Sequence, residues 1–201
     1  MFIDVRESSP LTIYQHLVGI VTPRPIGWVS SVDESGRVNL APFSFFNVFG
    51  ANPPVVVFSP LLRRDGSRKD TLLNVEATGE FVLNAAVESL ADAVNLSSAE
   101  RPRGESEVDS SGLTLLPSSI VKPPRIAESP AHLECKVLQI IATGTGGMAG
   151  NLVIGEVLAI HIDDRILDEN GRVDPHQLKT IGRLNGDWFC RTSDLFELRR
   201  P

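Results

Sequence analysis

The sequence predicts a mainly β fold, a closed antiparallel sheet with a few short peripheral helices, and three observations predict it. Runs of β-branched, aromatic and alternating apolar residues outnumber helical stripes along the 201 residues. Consecutive runs follow one another with little helix between them, which argues against a parallel βαβ sheet. The two best runs, HLECKVLQIIATG (132–144) and NLVIGEVLAIHIDD (151–164), are joined by Gly- and Ala-rich residues and read as a long antiparallel pair. An apolar content of 42% is enough for a substantial core, and the length suits one domain over 1–201.

Residues 1–20 show no charged start ahead of an apolar core, and no apolar run reaches about 18 residues, so the expectation is a soluble, cytoplasmic protein without a membrane partner. Two β-rich runs, 26–32 and 37–46, flank Asp33-Glu34-Ser35-Gly36, and a short polar connection ending in Gly is a hairpin signal. Val55-Val56-Val57-Phe58, bounded by prolines, reads as a buried strand whose end at Ser59 should meet solvent or a ligand. Leu72, Leu73 and Val75 fit one helical stripe that stops at Gly79, after which 80–85 resumes a strand. Residues 88–100 read as a second short helix. From 101 to 130 the chain is rich in Ser, Pro and charge around one apolar island, Leu113-Thr114-Leu115-Leu116, and reads as a long surface excursion over the core. Asp174-Pro175 supplies an N-cap and a first-turn proline for a last short helix.

The net charge of −6 and the pI near 5.2 exclude nucleic acid as a general partner, because neutralising phosphates takes a basic surface. Cys135 and Cys190 lie far apart without metal spacing and read as reduced structural thiols. His16, His132, His161 and His176 are scattered singly, so no metal site is expected. A G-x-S-x-G elbow, an H-E-x-x-H pair and a P-loop are all missing, and no side chain is assigned as catalytic.

Three stretches carry candidate chemistry. Ser67-Arg68-Lys69-Asp70-Thr71 leads into the helix, where unpaired N–H groups and the positive end of the helix dipole, beside two cations and a hydroxyl, suit a phosphate. A solvated charged turn with a capped helix fits the same spacing. Gly144, Gly146 and Ala149 satisfy G-x-G-x-x-A, but β-like Asn151-Leu152-Val153-Ile154-Gly155 follows instead of the helix a dinucleotide needs, so the stretch reads as a hairpin tip. APFSFFN (41–47) places Phe43 and Phe45 on one strand face and Ser44 and Phe46 on the other. It reads either as core strand or as the wall of a pocket for a flat aromatic cofactor, which needs apolar surfaces and a few polar groups for its edge.

TPRPIGWVSSVDESGRVNLAPFSFFNVFGANPPVVVFSP followed by RKDTLLNVEATGEFVLN closely resembles the flavin reductase-like family of FMN-binding split barrels. The resemblance covers about 20–86 and resumes in IGEVLAIHIDDRIL and IGRLNGDWFCRT. It implies a six-stranded antiparallel Greek-key barrel that forms a homodimer with FMN near the subunit interface. It further implies backbone and hydroxyl contacts to the flavin from Ser30, Ser31, Ser44 and Asn47, ring packing by Phe45, and phosphate contacts by Arg68, Lys69 and Thr71. The implied activity is an NAD(P)H:flavin oxidoreductase that passes hydride from NADH or NADPH to the flavin, with a flavin-dependent monooxygenase as a partner for the reduced product. A flavoredoxin-like electron carrier is the alternative, and a split barrel that binds haem or protein instead of flavin is a third. Where many relatives resemble L-G-G-x-x-Y, this chain has Leu184-Asn185-Gly186-Asp187-Trp188-Phe189, which leaves only Arg183 and Trp188 as candidates for that neighbourhood.

Overall fold

A computed structural model describes residues 1–100, 108 and 111–199. Its strands are β1 (Arg24–Pro25), β2 (Gly27–Val32), β3 (Val38–Phe43), β4 (Phe46–Ala51), β5 (Pro54–Phe58), β6 (Glu80–Ala85), β7 (Leu115–Leu116), β8 (Arg125–Ile126), β9 (Ala131–Ala142), β10 (Asn151–Ile162), β11 (Ile181–Arg183) and β12 (Phe189–Arg191). The helices are α1 (Pro10–Ile20), α2 (Asp70–Thr78), α3 (Ala91–Leu96) and α4 (Pro175–Leu178). None of the helices is long and apolar enough to cross a membrane.

Seven strands form one antiparallel sheet in the order β3-β2-β6-β9-β10-β5-β4. β3 and β4 are its two edges, yet only Ser44 and Phe45 separate them in the chain. The three steps from Phe43 to Phe46 span at most about 11 Å at full extension, so the sheet must curl until its edges face each other. The result is a barrel split along the β3–β4 seam. The expected single run over 37–46 therefore ends at Phe43, and β4, which the sequence reading did not separate, starts at Phe46. Periodicity continues through Ser44-Phe45 and conceals the corner.

The expected β2–β3 hairpin is present, with the Asp33 carboxylate accepting from the backbone N–H groups of Ser35 and Arg37. α2 stops where expected, at Gly79 in the left-handed region with φ 70°, and β6 follows directly. Asp174 caps α4 through the His176 N–H, with Pro175 in the first turn. α1 was not read from the sequence, although Ser9-Pro10 is a proper start signal: the Ser9 hydroxyl accepts from the Thr12 N–H at 3.1 Å. The 88–100 stretch becomes one 3₁₀ turn over Glu88–Leu90 followed by α3.

The interior is one cluster to which β2, β3, β5, β6, β9, β10 and α2 all contribute: Val29, Phe43, Val56, Phe58, Leu72, Val75, Phe81, Leu83, Cys135 and Val153. Phe58 sits between Phe43 and Phe81 at ring-centroid distances of 5.2 and 5.1 Å. Within β5 only Val56 and Phe58 are buried, so the Val55–Phe58 run alternates after all. A second cluster, built on Ile26, Trp28, Leu40, Val94, Ile126 and Ile181, covers the opposite face of β2, which explains why all six of its residues are buried.

The outside of the sheet is where the expected excursion docks. Residues 101–107 and 109–110 of it lie outside the described residues; 117–130 are held by a row of polar side chains. The Ser30 hydroxyl donates to the Pro124 carbonyl at 2.5 Å, Asn84 Oδ1 accepts from the Ile126 N–H at 2.9 Å, and His132 Nε2 lies 2.8 Å from the Ile126 carbonyl. The fully buried Glu134 carboxylate accepts the N–H groups of Ser119, Ile120 and Val121. These groups stand at alternate strand positions to the barrel interior, so the segment satisfies polar atoms that the sheet would otherwise bury unpaired.

Candidate functional site

α2 begins beside the β2–β3 hairpin. Lys69 occupies the N-cap position with extended backbone (φ −72°, ψ 152°), and no side chain caps the helix. The first-turn N–H groups of α2 are thus left without a side-chain acceptor, in a setting that favours an anion. Asp70, read as cap or first-turn residue, is the first helical residue, and its carboxylate stands 3.9 Å from the Arg63 guanidinium. Lys69 is half-buried; burial holds its ammonium below the usual lysine range, Glu100 opposing and Arg63 reinforcing the shift. Arg68 is exposed and pairs with Glu76 at 2.8 Å. Thr71 is buried, and its hydroxyl accepts from the Asn39 amide at 2.8 Å.

Polar contacts join this helix start to the hairpin. Ser31, fully buried, accepts from the Asn74 amide at 3.1 Å, one turn along α2 from the Asn39–Thr71 bond. Ser30 is equally buried but faces the other way, toward Pro124 and Asn84. The two serines thus divide between the two faces of β2, as alternation requires. Arg68, Lys69, Thr71 and Ser31 belong to one neighbourhood, whereas the hydroxyl of Ser30 is engaged away from it.

At the end of β3 the corner resolves the ambiguity of APFSFFN. Phe43 is buried in the core, and Phe46 turns back into the barrel against Gly27 and Leu83. Between them Ser44 and Phe45 stay half-buried and Asn47 is exposed. Phe45 has the Tyr14 ring at 6.2 Å, and the Asn47 side-chain oxygen accepts from the Val48 N–H. The Ser59 N–H donates to the Phe45 carbonyl at 2.8 Å, tying the corner to the segment that runs toward α2. Both expected ends of the site therefore involve the edge strands: Thr71 is bonded to Asn39 on β3, and Ser44, Phe45 and Asn47 stand where β3 passes into β4.

Two contributors escaped the sequence reading. Arg24 is 5% exposed, and its guanidinium donates to Ser44 Oγ at 3.3 Å, to the Val18 and Val21 carbonyls at 2.5 and 2.7 Å, and to the Leu184 carbonyl at 2.9 Å. It knots α1, the corner and the 184–188 loop, so Trp188, 75% exposed, belongs to a loop joined to Ser44 through one side chain. Arg183 packs over the Phe189 ring at 4.4 Å. Arg63 and Arg64 are the second omission: Arg63 lies in the segment before α2 and donates to the Arg68 carbonyl. Arg63 and Arg64 show in the sequence only as charge in a loop, and Arg24 only as a charge ahead of the 26–32 run. A cavity of ≈440 Å³, lined by Arg24, Gly27, Phe46, Leu83, His132 and Ile181 among others, touches none of the eight expected site residues but adjoins them through Arg24.

Residues 20–177 match the family described as flavin reductase like domain. The chain belongs to the flavin reductase-like family. A relative from Aquifex aeolicus is 39% identical, over 93% of this chain and 93% of its own length. Among solved structures, nitrilotriacetate monooxygenase component B from Bacillus cereus superposes with a TM-score of 0.92 at 34% identity, over 98% of each chain. Pseudomonas fluorescens 2-nitrobenzoate 2-nitroreductase NbaA superposes at 0.89 with 32% identity, over 100% of this chain and 96% of that one. The split barrel is the architecture of this family's flavin reductases, and the extra edge strand β4 is the other lip of its split.

Proposed function

We propose that this family member binds FMN along the β3–β4 seam and acts as an NAD(P)H:flavin oxidoreductase in a cytoplasmic, single-domain homodimer. One observation carries the reading: the uncapped N-terminus of α2, with Arg68 and the partly desolvated Lys69 beside it, is bonded through Thr71 to Asn39 of β3, the strand that runs into the Ser44-Phe45 corner. A phosphate with close to two negative charges suits that helix start. The amphipathic corner suits the ring, with Phe45 as a flat apolar surface and Ser44 and Asn47 at its polar edge.

Bound flavin supplies the redox chemistry, accepting a hydride from the nicotinamide and passing reducing equivalents on. The chain's own residues bind and orient: Lys69, Arg68 and the first-turn N–H groups hold the phosphate, Thr71 and Ser31 fix α2 against the hairpin, and Arg24 holds Ser44 in place. No side chain is required as acid or base. Exposed apolar residues on β4 (Val48, Phe49) and β10 (Ile160) support a second copy as the natural cover.

The likeness to a monooxygenase component B at 34% identity supports release of reduced flavin to a monooxygenase. The likeness to a 2-nitrobenzoate nitroreductase at 32% favours a second reading, in which flavin is retained and reduces a small organic acceptor. Steady-state oxidation of NADH and NADPH with FMN, with FAD, without added flavin, and with a nitroaromatic acceptor tests both. Turnover that depends on added flavin supports the first; turnover with the nitroaromatic alone supports the second. A protein that retains flavin and oxidises neither nicotinamide is a carrier, and the enzyme reading fails.

A further inference from the structure

The glycine-rich tip between β9 and β10 has no place in a dinucleotide fold, yet the structure gives it a close partner. Its residues run back to back with the 59–64 segment, which leads to the cations before α2. The Leu62 N–H donates to the Ala149 carbonyl at 2.9 Å and the Met148 N–H to the Leu62 carbonyl at 3.2 Å. The Asn151 N–H donates to Ser59 Oγ at 3.1 Å, and the buried Asn151 amide to the Pro60 carbonyl at 3.0 Å. The approach is closest at Gly147, where a Cβ would stand 2.4 Å from the Arg64 carbonyl oxygen and 3.0 Å from its carbon. No side chain fits there unless the 62–64 backbone retreats. From that backbone the linkage continues to the helix start through Arg63, whose N–H donates to the Ser67 carbonyl at 2.8 Å, whose guanidinium donates to the Arg68 carbonyl, and whose own carbonyl accepts the Gly66 N–H at 2.9 Å.

We propose that the tip is a brace for anion recognition: Gly147 and Asn151 are positioning residues that hold the Arg63–Lys69 segment where its cations and the α2 N-terminus converge on a phosphate. The inference rests on the phosphate-seat reading above and adds to it residues some eighty positions away in the chain. A helix start and two long cations form a selective seat only while the segment before them is held still. The 59–64 segment is not part of the main sheet, and the tip supplies both backbone partners of Leu62 at its centre.

The test compares FMN with riboflavin, which differ only in the phosphate, by fluorescence titration of purified full-length protein. Gly147→Ala is set against Gly146→Ala, whose added Cβ would meet nothing within 4 Å. The expected result is a loss of FMN affinity of about tenfold in Gly147→Ala, with riboflavin affinity within about twofold of wild type and Gly146→Ala unchanged for both ligands. A Gly147→Ala protein that keeps the wild-type preference for FMN overturns the brace, as does an equal loss in the two variants. If Gly147→Ala does not fold, Asn151→Ala combined with Ser59→Ala removes two of the tip's contacts without a clash, and an undiminished FMN preference there overturns the proposal. A wild-type protein that binds FMN no better than riboflavin overturns the phosphate seat itself, a result distinguishable because it precedes any variant.

Discussion

Asn39 donates its side-chain amide to the Thr71 hydroxyl at 2.8 Å, and this bond ties the free edge strand β3 to the first turn of α2. Both residues are removed from bulk water, Thr71 almost completely. Replacing Thr71 by Val keeps the shape and orphans the amide. The expected cost is about 1–2 kcal/mol of stability in denaturant titration, together with weaker FMN binding because the helix start loses its anchor on the hairpin. Unchanged stability and affinity would show that the bond is incidental.

Lys69 and Arg68 should contribute unequally to the phosphate seat. Arg68 is exposed and already paired with Glu76, whereas Lys69 is half-buried and partly desolvated. Changing both to Ala should weaken FMN by about 2–4 kcal/mol, with Lys69→Ala alone giving most of the loss and Arg68→Ala less than about 1 kcal/mol. Isothermal titration of the three variants checks the ranking. An undiminished affinity in the double variant moves the seat elsewhere.

Asn47→Leu separates a binding role from a packing role. Asn47 is exposed, and its only side-chain bond among the described residues is to the neighbouring Val48 N–H, so the variant should keep its melting temperature within about 2 °C. Riboflavin and FMN affinity should fall together, because the lost contact is to the ring. A variant that unfolds assigns Asn47 to the core instead.

Acid should release the 117–130 segment before it melts the barrel. Burial alone would raise the Glu134 carboxyl, but the N–H groups of Ser119, Ile120 and Val121 and the ring of His161 outweigh it and hold the value at about 2. Because this lies below the ordinary 4.5, the carboxylate contributes stability that is present above pH 4.5 and is lost as pH falls toward 2. His132, lowered mainly by burial, acts in the same direction from higher pH: its preference for the neutral ring destabilises the fold as pH drops below 6.5. Hydrogen-exchange protection factors, corrected for the intrinsic pH dependence of exchange, should therefore fall at the Ser119–Val121 and Ile126 amides below pH 6.5, and most steeply below pH 4.5, ahead of the β9–β10 ladder. Glu134→Gln should lower stability at pH 7 by about 2–3 kcal/mol and flatten that acid limb.

The exposed apolar side chains Phe49, at 68%, and Ile160, at 61%, predict the subunit contact. Phe49→Asp should convert a dimer into a monomer in sedimentation velocity without unfolding it. A wild-type protein that sediments as a monomer at micromolar concentration sinks the homodimer reading.

Local signals carried much of this structure because they act over a few residues. Asp33 to Gly36 makes its own turn, Gly79 ends α2 by accepting a left-handed backbone, and Asp174-Pro175 starts α4, each without help from distant chain. Ser9-Pro10 carries the same kind of signal for α1. Charge at 68–71 marked a helix start fit for an anion, and the mix of aromatic and polar groups at 43–47 marked a surface with two natures.

Tertiary structure alone decided where those pieces meet. The corner at Ser44-Phe45 is invisible to periodicity, because it appears only when the curled sheet sends β3 and β4 to opposite edges. That corner returned Phe46 to the core while leaving Phe45 outside. Arg24 became a knot, the scattered His132 and His161 became neighbours across β9 and β10, and the tip at Gly147 became the support of a segment eighty residues earlier. The physical reason is the same each time: side-chain chemistry and turn preference are properties of short sequence, whereas a long-range contact exists only once closure of the barrel brings the two strands together.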